Sequence, residues 1–335
     1  MIRWIALGIL SVSLCGAQSL KILVAGQSSE TIADWQSASG KVKLVRVSSD
    51  TAMGEIGDAD AYIGNITPEL VRAGKKLRWV QTLSAGVEQV LHKSGSDDLA
   101  NSDIVLTNNQ IVQGPEIADH AMAMLLTLTR FLPTFMERQA DENWMSRPYT
   151  LVELNGKRAL VIGMGGIGLQ IAIRAWAHGM KVVGVDPEDI AYLPYVEEVV
   201  KPDMVDTVIG DADVIFMAVP HTPKSHKMIG PSQFEAMKDG AYFIAVSRGG
   251  TYDLDSLVKA LDSKKLSGAG VDVTDPEPLP KGHSLWKMEN VIITPHIAGR
   301  SDMDRGRMLG IVKSNIQRFA DGLPLHNVVD KQKGY

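Results

Sequence analysis

The chain has 335 residues, 45% of them hydrophobic and 22% charged, with 31 glycines. That length suits two domains sharing a cleft better than one compact unit. A formal net charge of −5 and the lack of any long Lys/Arg run argue against nucleic acid or an anionic membrane as partner. The one small basic cluster, Lys75, Lys76 and Arg78, reads as a solvated helix end.

Arg3 precedes an apolar run from Trp4 to Leu14, and Cys15-Gly16-Ala17 supplies small residues before Gln18. This is the pattern of a secretory signal peptide over residues 1–17, which predicts export to the periplasm or cell exterior. A plain N-terminal extension on a cytoplasmic protein is the alternative reading. The run is too short to span a bilayer as a mature helix. Cys15 is the only cysteine, so a chain cleaved before Gln18 has no disulfide and no thiolate metal ligand.

Residues 21–25, 43–45, 61–63, 79–83 and 104–106 then read as strands separated by helical stretches such as 68–73, the alternation that builds a parallel sheet. Gly114-Pro115-Glu116 suits a helix N-terminus, and the helix it opens runs to Arg130. Its apolar residues on nearly every side make it the candidate domain crossing and homodimer interface. A second strand series is expected at 159–162, 181–185, 213–219, 242–246, 268–272 and 291–294, followed by a helix over 301–321 that returns to the first domain. The expected fold is α/β, with two Rossmann-like or flavodoxin-like domains built on parallel sheets. Residues 18–112 and 300–335 form the substrate-binding domain, and 113–299 form a nucleotide-binding domain inserted into it.

Residues 159–162 lead straight into Gly163-Met164-Gly165-Gly166-Ile167-Gly168, with a helix expected over 169–178. In that context Gly163 permits the tight turn, Gly165 lets the backbone approach a pyrophosphate, and Gly168 allows close helix–strand packing. The helix N-terminus offers free N–H groups to the diphosphate. Asp186 lies eighteen residues beyond Gly168 and closes the next strand. A carboxylate there accepts ribose hydroxyls and repels a 2′-phosphate, so NAD(H) is expected over NADP(H). Starting a turn before Pro187 is its plainer alternative. Pro220, in Val219-Pro220-His221-Thr222, walls the cofactor or simply turns the chain, and Val246 joins the cofactor candidates at a strand end.

Arg248 and His296 each follow a strand, where ligands bind in open α/β sheets, and Glu277 lies in the stiff loop Asp275-Pro276-Glu277-Pro278. Reduction of a carbonyl beside a carboxylate needs a proton donor and a cationic anchor. His296 beside Glu277 supplies the proton, because an acidic neighbour favours imidazolium, and Arg248 clamps the carboxylate and polarises the carbonyl.

With these residues in place the chain resembles the D-isomer-specific 2-hydroxyacid dehydrogenase family. The matching stretches are Gly163 to Gly168, Ser247-Arg248-Gly249-Gly250, Gly268-Ala269-Gly270-Val271-Asp272-Val273 with Glu277, and Thr294-Pro295-His296-Ile297-Ala298-Gly299. Asp275 to Pro280 and Gly282-His283-Ser284-Leu285-Trp286 look most like a branch of glyoxylate or hydroxypyruvate reductases. The resemblance implies NAD-dependent interconversion of a small 2-keto acid and its D-2-hydroxy acid. It further implies that backbone N–H groups at Ser84, Ala85 and Gly86 bind the substrate carboxylate and that Asp272 meets the nicotinamide carboxamide. It also implies that the helix from Gly114 joins two subunits. Ala245 departs from the asparagine usual three residues before the arginine, which removes a polar tether from the Arg248 loop. Glu277 stands where formate-oxidising relatives carry glutamine, which disfavours formate.

His120, beside Asp119, reads as a packed histidine. His221, His226 and His283 fall in loops with no close partner, so no metal site is expected. Trp144 and Trp286 read as loop anchors or as the border of the substrate pocket. A competing function on the same fold is an NAD-binding sensor with little turnover.

Overall fold

The computed structural model describes residues 19–91 and 93–335. The expected signal segment lies outside them. The first sheet contains β1 (Leu20–Ala25), β2 (Val42–Val47), β3 (Ala61–Ile63), β4 (Trp79–Gln81) and β5 (Val105–Thr107), in the order β2-β1-β3-β4-β5. The second contains β6 (Arg158–Ile162), β7 (Lys181–Val185), β8 (Glu198–Val200), β9 (Val214–Met217), β10 (Ala241–Ala245), β11 (Leu266–Val271) and β12 (Val291–Ile293). Its order is β12-β11-β10-β9-β6-β7-β8, and every named pairing in both sheets is parallel. Strand order therefore reverses between β1 and β3 in one sheet and between β6 and β9 in the other. Such switch points open crevices at the strand carboxyl ends.

Burial on both faces explains the continuous apolar strands. Every residue of β9 and β10 is buried. Leu160 and Ile162 enter the core on one face, and Ala159 and Val161 enter the core on the other.

The helix Gly114–Thr129 lies across the second sheet, where Met124 and Leu128 press on Gly270 and Gly268. Its apolar residues are thus largely covered by the chain itself, leaving Asp119 and Ala123 outward. The helix Asp304–Ala320 packs on the first sheet. Val312 and Ile316 are fully buried with Ile22, Val24 and Trp79, and Trp35 Nε1 donates to the Leu309 carbonyl at 3.1 Å.

Some elements differ from expectation for local reasons. The helix after the glycine motif starts at Gly166, because Gly165 is extended and serves as its N-cap. β8 is only three residues long and carries no readable period. The helix Leu132–Ala140 buries none of its residues, so no apolar stripe announced it. Trp144 is fully exposed and anchors nothing among the described residues, contrary to its reading as a loop anchor. Trp286 does anchor, donating from Nε1 to the Pro280 carbonyl at 3.0 Å. Among the described residues no helix is long and apolar enough to cross a membrane.

Asn315 ties the helix Asp304–Ala320 to the first sheet. Fully buried, it donates to Gln81 Oε1 (3.0 Å) and the His326 carbonyl (3.1 Å) and accepts from the His326 N–H (2.8 Å). Replacing it with leucine strands those groups without water, so Asn315→Leu should cost roughly 2–4 kcal/mol of stability. A shift of the urea midpoint at constant slope would measure it.

Candidate active site

Three adjacent strands of the second sheet deliver the three expected catalytic side chains. Arg248 follows β10, Glu277 follows β11 and His296 follows β12. His296 Nδ1 and Glu277 Oε1 are 2.6 Å apart, with both side chains about two-fifths exposed. The carboxylate can only accept, so Nδ1 carries the proton and Nε2 is left to face a ligand. The Arg248 loop packs on the segment leading to Glu277. Any Cβ at Gly249 would sit 2.0 Å from the Thr274 carbonyl carbon. Tyr252, whose hydroxyl donates to the Val273 carbonyl at 2.7 Å, locks the same two loops.

His296 adopts a left-handed backbone conformation, φ 52°, which disfavours an L side chain. Asp272 holds it there. Its carbonyl accepts from the His296 N–H (2.9 Å), and its carboxylate accepts from Thr294 Oγ1 (2.5 Å) and from the N–H groups of Ile297 and Ala298 (both 3.0 Å). The Asp272 side chain is 1% exposed, so its carboxylate is committed to this turn and offers little surface to a carboxamide. His120 completes the arrangement through a 2.9 Å contact with Thr294 Oγ1, while Asp119 turns away to Arg174.

Arg248 reaches the other sheet. Its Nε donates to Glu88 Oε1 at 2.5 Å, and a Cβ on Gly86 would lie 2.3 Å from one of its terminal nitrogens. The guanidinium therefore lies against the loop Ser84–Ala85–Gly86. Carbonyls there are engaged: Leu83 by Asn109 Nδ2 (3.0 Å), Ser84 by the Asn109 N–H (3.0 Å), and Ala85 by Asn108 Nδ2 (2.6 Å). Among the described residues, the N–H groups of Ser84, Ala85 and Gly86 meet no acceptor. Free amides beside a guanidinium form an anion site. In place of the missing asparagine, Thr251 Oγ1 secures the loop by donating to the Arg248 carbonyl at 2.7 Å.

Glu88, Asn108 and Asn109 escaped the sequence reading. Asn108-Asn109 directly after a strand was a weak available signal; Glu88 carried none. Burial opposes ionisation of Glu88, but Arg248, a backbone hydrogen bond and Lys93 outweigh it and hold the carboxyl below its ordinary value. The stabilisation from this pair is accordingly present above about pH 4.5 and lost as pH falls through the lowered value.

The glycine motif fits a dinucleotide. Gly163 has φ 94°, and a Cβ there would strike Ala218 at 2.8 Å. At Gly168 it would lie 1.7 Å from the Gly163 carbonyl oxygen. Gly165 is exposed and its missing Cβ faces open space, the cradle a pyrophosphate needs. Gly166 has a different reason: a Cβ there would strike Ile111 Cα at 2.7 Å, so it makes room for the domain crossing. Ile167 is partly buried against the core. Asp186 accepts from the Met164 N–H (2.7 Å) and the Glu188 N–H (2.8 Å), which aligns its carboxylate beside the motif. Pro220 is exposed past the end of β9, and Val246 is buried past β10 beside Ser247, whose buried hydroxyl meets no partner among the described residues.

Two histidines differ from expectation. His221 Nε2 and His226 Nδ1 lie 3.0 Å apart, a pairing hidden in the loop spacing. Burial and His226 push His221 below its ordinary value. Among the described residues, no group of three or more His, Cys, Asp or Glu side chains is placed to hold a metal ion.

A family model described as D-isomer specific 2-hydroxyacid dehydrogenase, NAD binding domain, matches residues 122–298. The chain is 30% identical over 318 residues to a D-3-phosphoglycerate dehydrogenase of Archaeoglobus fulgidus, covering 93% of this chain but only 59% of that protein. It is 31% identical to a hydroxypyruvate reductase of Blautia hydrogenotrophica, covering 84% of this chain and 88% of the relative. A crystal structure of a D-isomer specific 2-hydroxyacid dehydrogenase family protein from Aeromonas salmonicida superposes with a TM-score of 0.77 at 31% identity, covering 94% and 99% of the two chains.

Glu88 neutralises the cation that faces the free amides. Glu88→Gln should therefore tighten binding of oxalate, a small unreactive dianion, by roughly threefold or more. Isothermal titration would measure this; weaker binding would mean that Glu88 chiefly holds the guanidinium in position.

Proposed function

The chain belongs to the D-isomer-specific 2-hydroxyacid dehydrogenase family, and on that footing we propose that it is an NAD(H)-dependent oxidoreductase interconverting a small 2-keto acid, of glyoxylate or hydroxypyruvate size, and the D-2-hydroxy acid. The observation that carries this reading is the 2.6 Å His296–Glu277 pair on the strand edge next to Arg248. The hydroxypyruvate reductase likeness supports the substrate class. Asp186, with its acidic neighbour Glu188, supports NAD(H) over NADP(H).

When bound, reduced nicotinamide supplies a hydride to the keto carbon. Arg248 and the amides of Ser84, Ala85 and Gly86 hold the substrate carboxylate and turn its carbonyl oxygen toward His296. Two Arg248 hydrogens are already committed, to Glu88 and to the Ser247 carbonyl, so the remaining N–H groups grip the ligand. As the keto carbon accepts the hydride's electron pair, the C=O π pair moves to oxygen and takes the Nε2 proton of imidazolium. His296 is left neutral, its Nδ1–H still on Glu277, and recovers a proton from solvent. In the oxidative direction the same nitrogen removes the hydroxyl proton. Asp272 acts through the turn it holds. Gly163, Gly165, Gly166, Ile167 and Gly168 cradle the diphosphate, Asp186 takes the adenosine ribose, and Pro220 and Val246 flank the ring end.

A homodimer built around the helix Gly114–Thr129 is part of the proposal, supported by the exposed apolar side chains Leu132, Met136, Trp144 and Met145 that follow it. Export with cleavage before Gln18 is carried with it, and N-terminal sequencing of protein from its native cell tests that point.

NADH absorbance followed with glyoxylate, hydroxypyruvate, pyruvate and phenylpyruvate tests the activity. No oxidation with any of them would favour a cofactor-holding sensor. His296→Gln should lower kcat by roughly 10²–10⁴-fold while NADH affinity holds; equal losses in both would make His296 structural.

A further inference from the structure

Residues 330–335 form a built turn. The Asp330 carboxylate accepts from the N–H groups of Gln332 and Lys333, both at 3.0 Å. The Asp330 carbonyl accepts from the Gly334 N–H at 2.8 Å, and its own N–H donates to the Tyr335 carbonyl at 3.0 Å. The turn is rooted in the first sheet. The Val329 N–H donates to the Leu106 carbonyl at 2.9 Å, and Lys331 Nζ caps the carbonyls of Leu99 (3.1 Å), Ile104 (2.9 Å) and Ser102.

Its head reaches the second sheet. Lys333 Nζ lies 2.6 Å from Glu188 Oε1, and the Tyr335 hydroxyl donates to the same oxygen at 3.0 Å. Glu188 in turn gives its N–H to Asp186 Oδ1. Burial and the Glu188 and Asp186 carboxylates push the Tyr335 phenol up to about 12, so it remains a donor at neutral pH. The segment thus joins the first sheet to the loop carrying the proposed ribose carboxylate.

We propose that the turn Asp330–Tyr335 is a clasp across the cleft, with Lys333 and Tyr335 as positioning residues that close the adenosine-ribose end of the cofactor cradle and slow cofactor release. This rests on the reading that Asp186 takes the ribose. The contact is graded for such use. Lys333 and Glu188 are each nearly half exposed, and an exposed ion pair adds little stability, so the clasp biases closure without preventing turnover.

Stopped-flow displacement of bound NADH, followed by its fluorescence, tests the clasp in the full chain. Lys333→Ala should release NADH roughly threefold faster, and Lys333→Ala with Tyr335→Phe faster still. Added NaCl should speed release from the unaltered protein more steeply than from Lys333→Ala, because in the variant the screened pair is already gone. An unchanged rate with a lowered Tm would reduce the turn to a structural role. A slower rate would show that the turn obstructs the subsite. Either result overturns the proposal. Asp186→Ser, measured alongside, separates the two readings: unaltered NADH affinity there removes the ribose assignment, while the Lys333 and salt responses still report the clasp.

Discussion

The buried Asp272 side chain decides where His296 stands. Asp272 gathers Thr294, Ile297 and Ala298 onto its two oxygens, and the backbone between them is bent until His296 enters a left-handed conformation. A polar group so far from water is tolerable only when its hydrogen bonds are filled, and here they are. Filling them requires the His296 turn, so the stability of the acid and the pose of the histidine are one constraint. Strand order then does the rest. β10, β11 and β12 are neighbours, and their trailing loops bring the guanidinium, the carboxylate and the imidazole to one edge.

The first sheet contributes the opposite wall with very different chemistry. Its loop at Ser84–Gly86 offers backbone amides because Asn108 and Asn109 absorb the carbonyls. Glu88, from the same wall, meets Arg248 across the cleft. The pocket is therefore less cationic than its arginine suggests, and the anchor lost at Ala245 is replaced by a partner from the facing body together with Thr251. A Cβ at Gly86 would displace the guanidinium and the Glu88 carboxylate, so the glycine lets that pair close against the loop.

Much of this was legible in the residues alone. Parallel strands buried on both faces leave unbroken apolar runs, and β9 and β10 were readable for that reason. The glycine motif was readable because each glycine answers a close steric demand, the missing side chain of Gly166 being owed to Ile111. Glu88 was invisible because its partner lies 160 residues away, and nothing local marks a carboxylate that will meet an arginine. The His221–His226 contact depends on how a loop folds back on itself, and loop spacing does not encode that. Trp144 reads as a loop anchor or pocket border like Trp286, yet it stands fully exposed among the described residues.

The contact among Ile111, Gly114 and Gly166 has a mechanical meaning. A Cβ on Gly114 would strike the Gly166 carbonyl oxygen at 2.7 Å, so the crossing segment rides directly on the first turn of the phosphate-loop helix. The side chains of Ile111 and Gln170 close on the same two glycines, so the crossing segment and the first turn of that helix meet at backbone distance. A side chain at either glycine would wedge them apart, which ties the seat of the segment between the sheets to the start of the helix after the glycine motif.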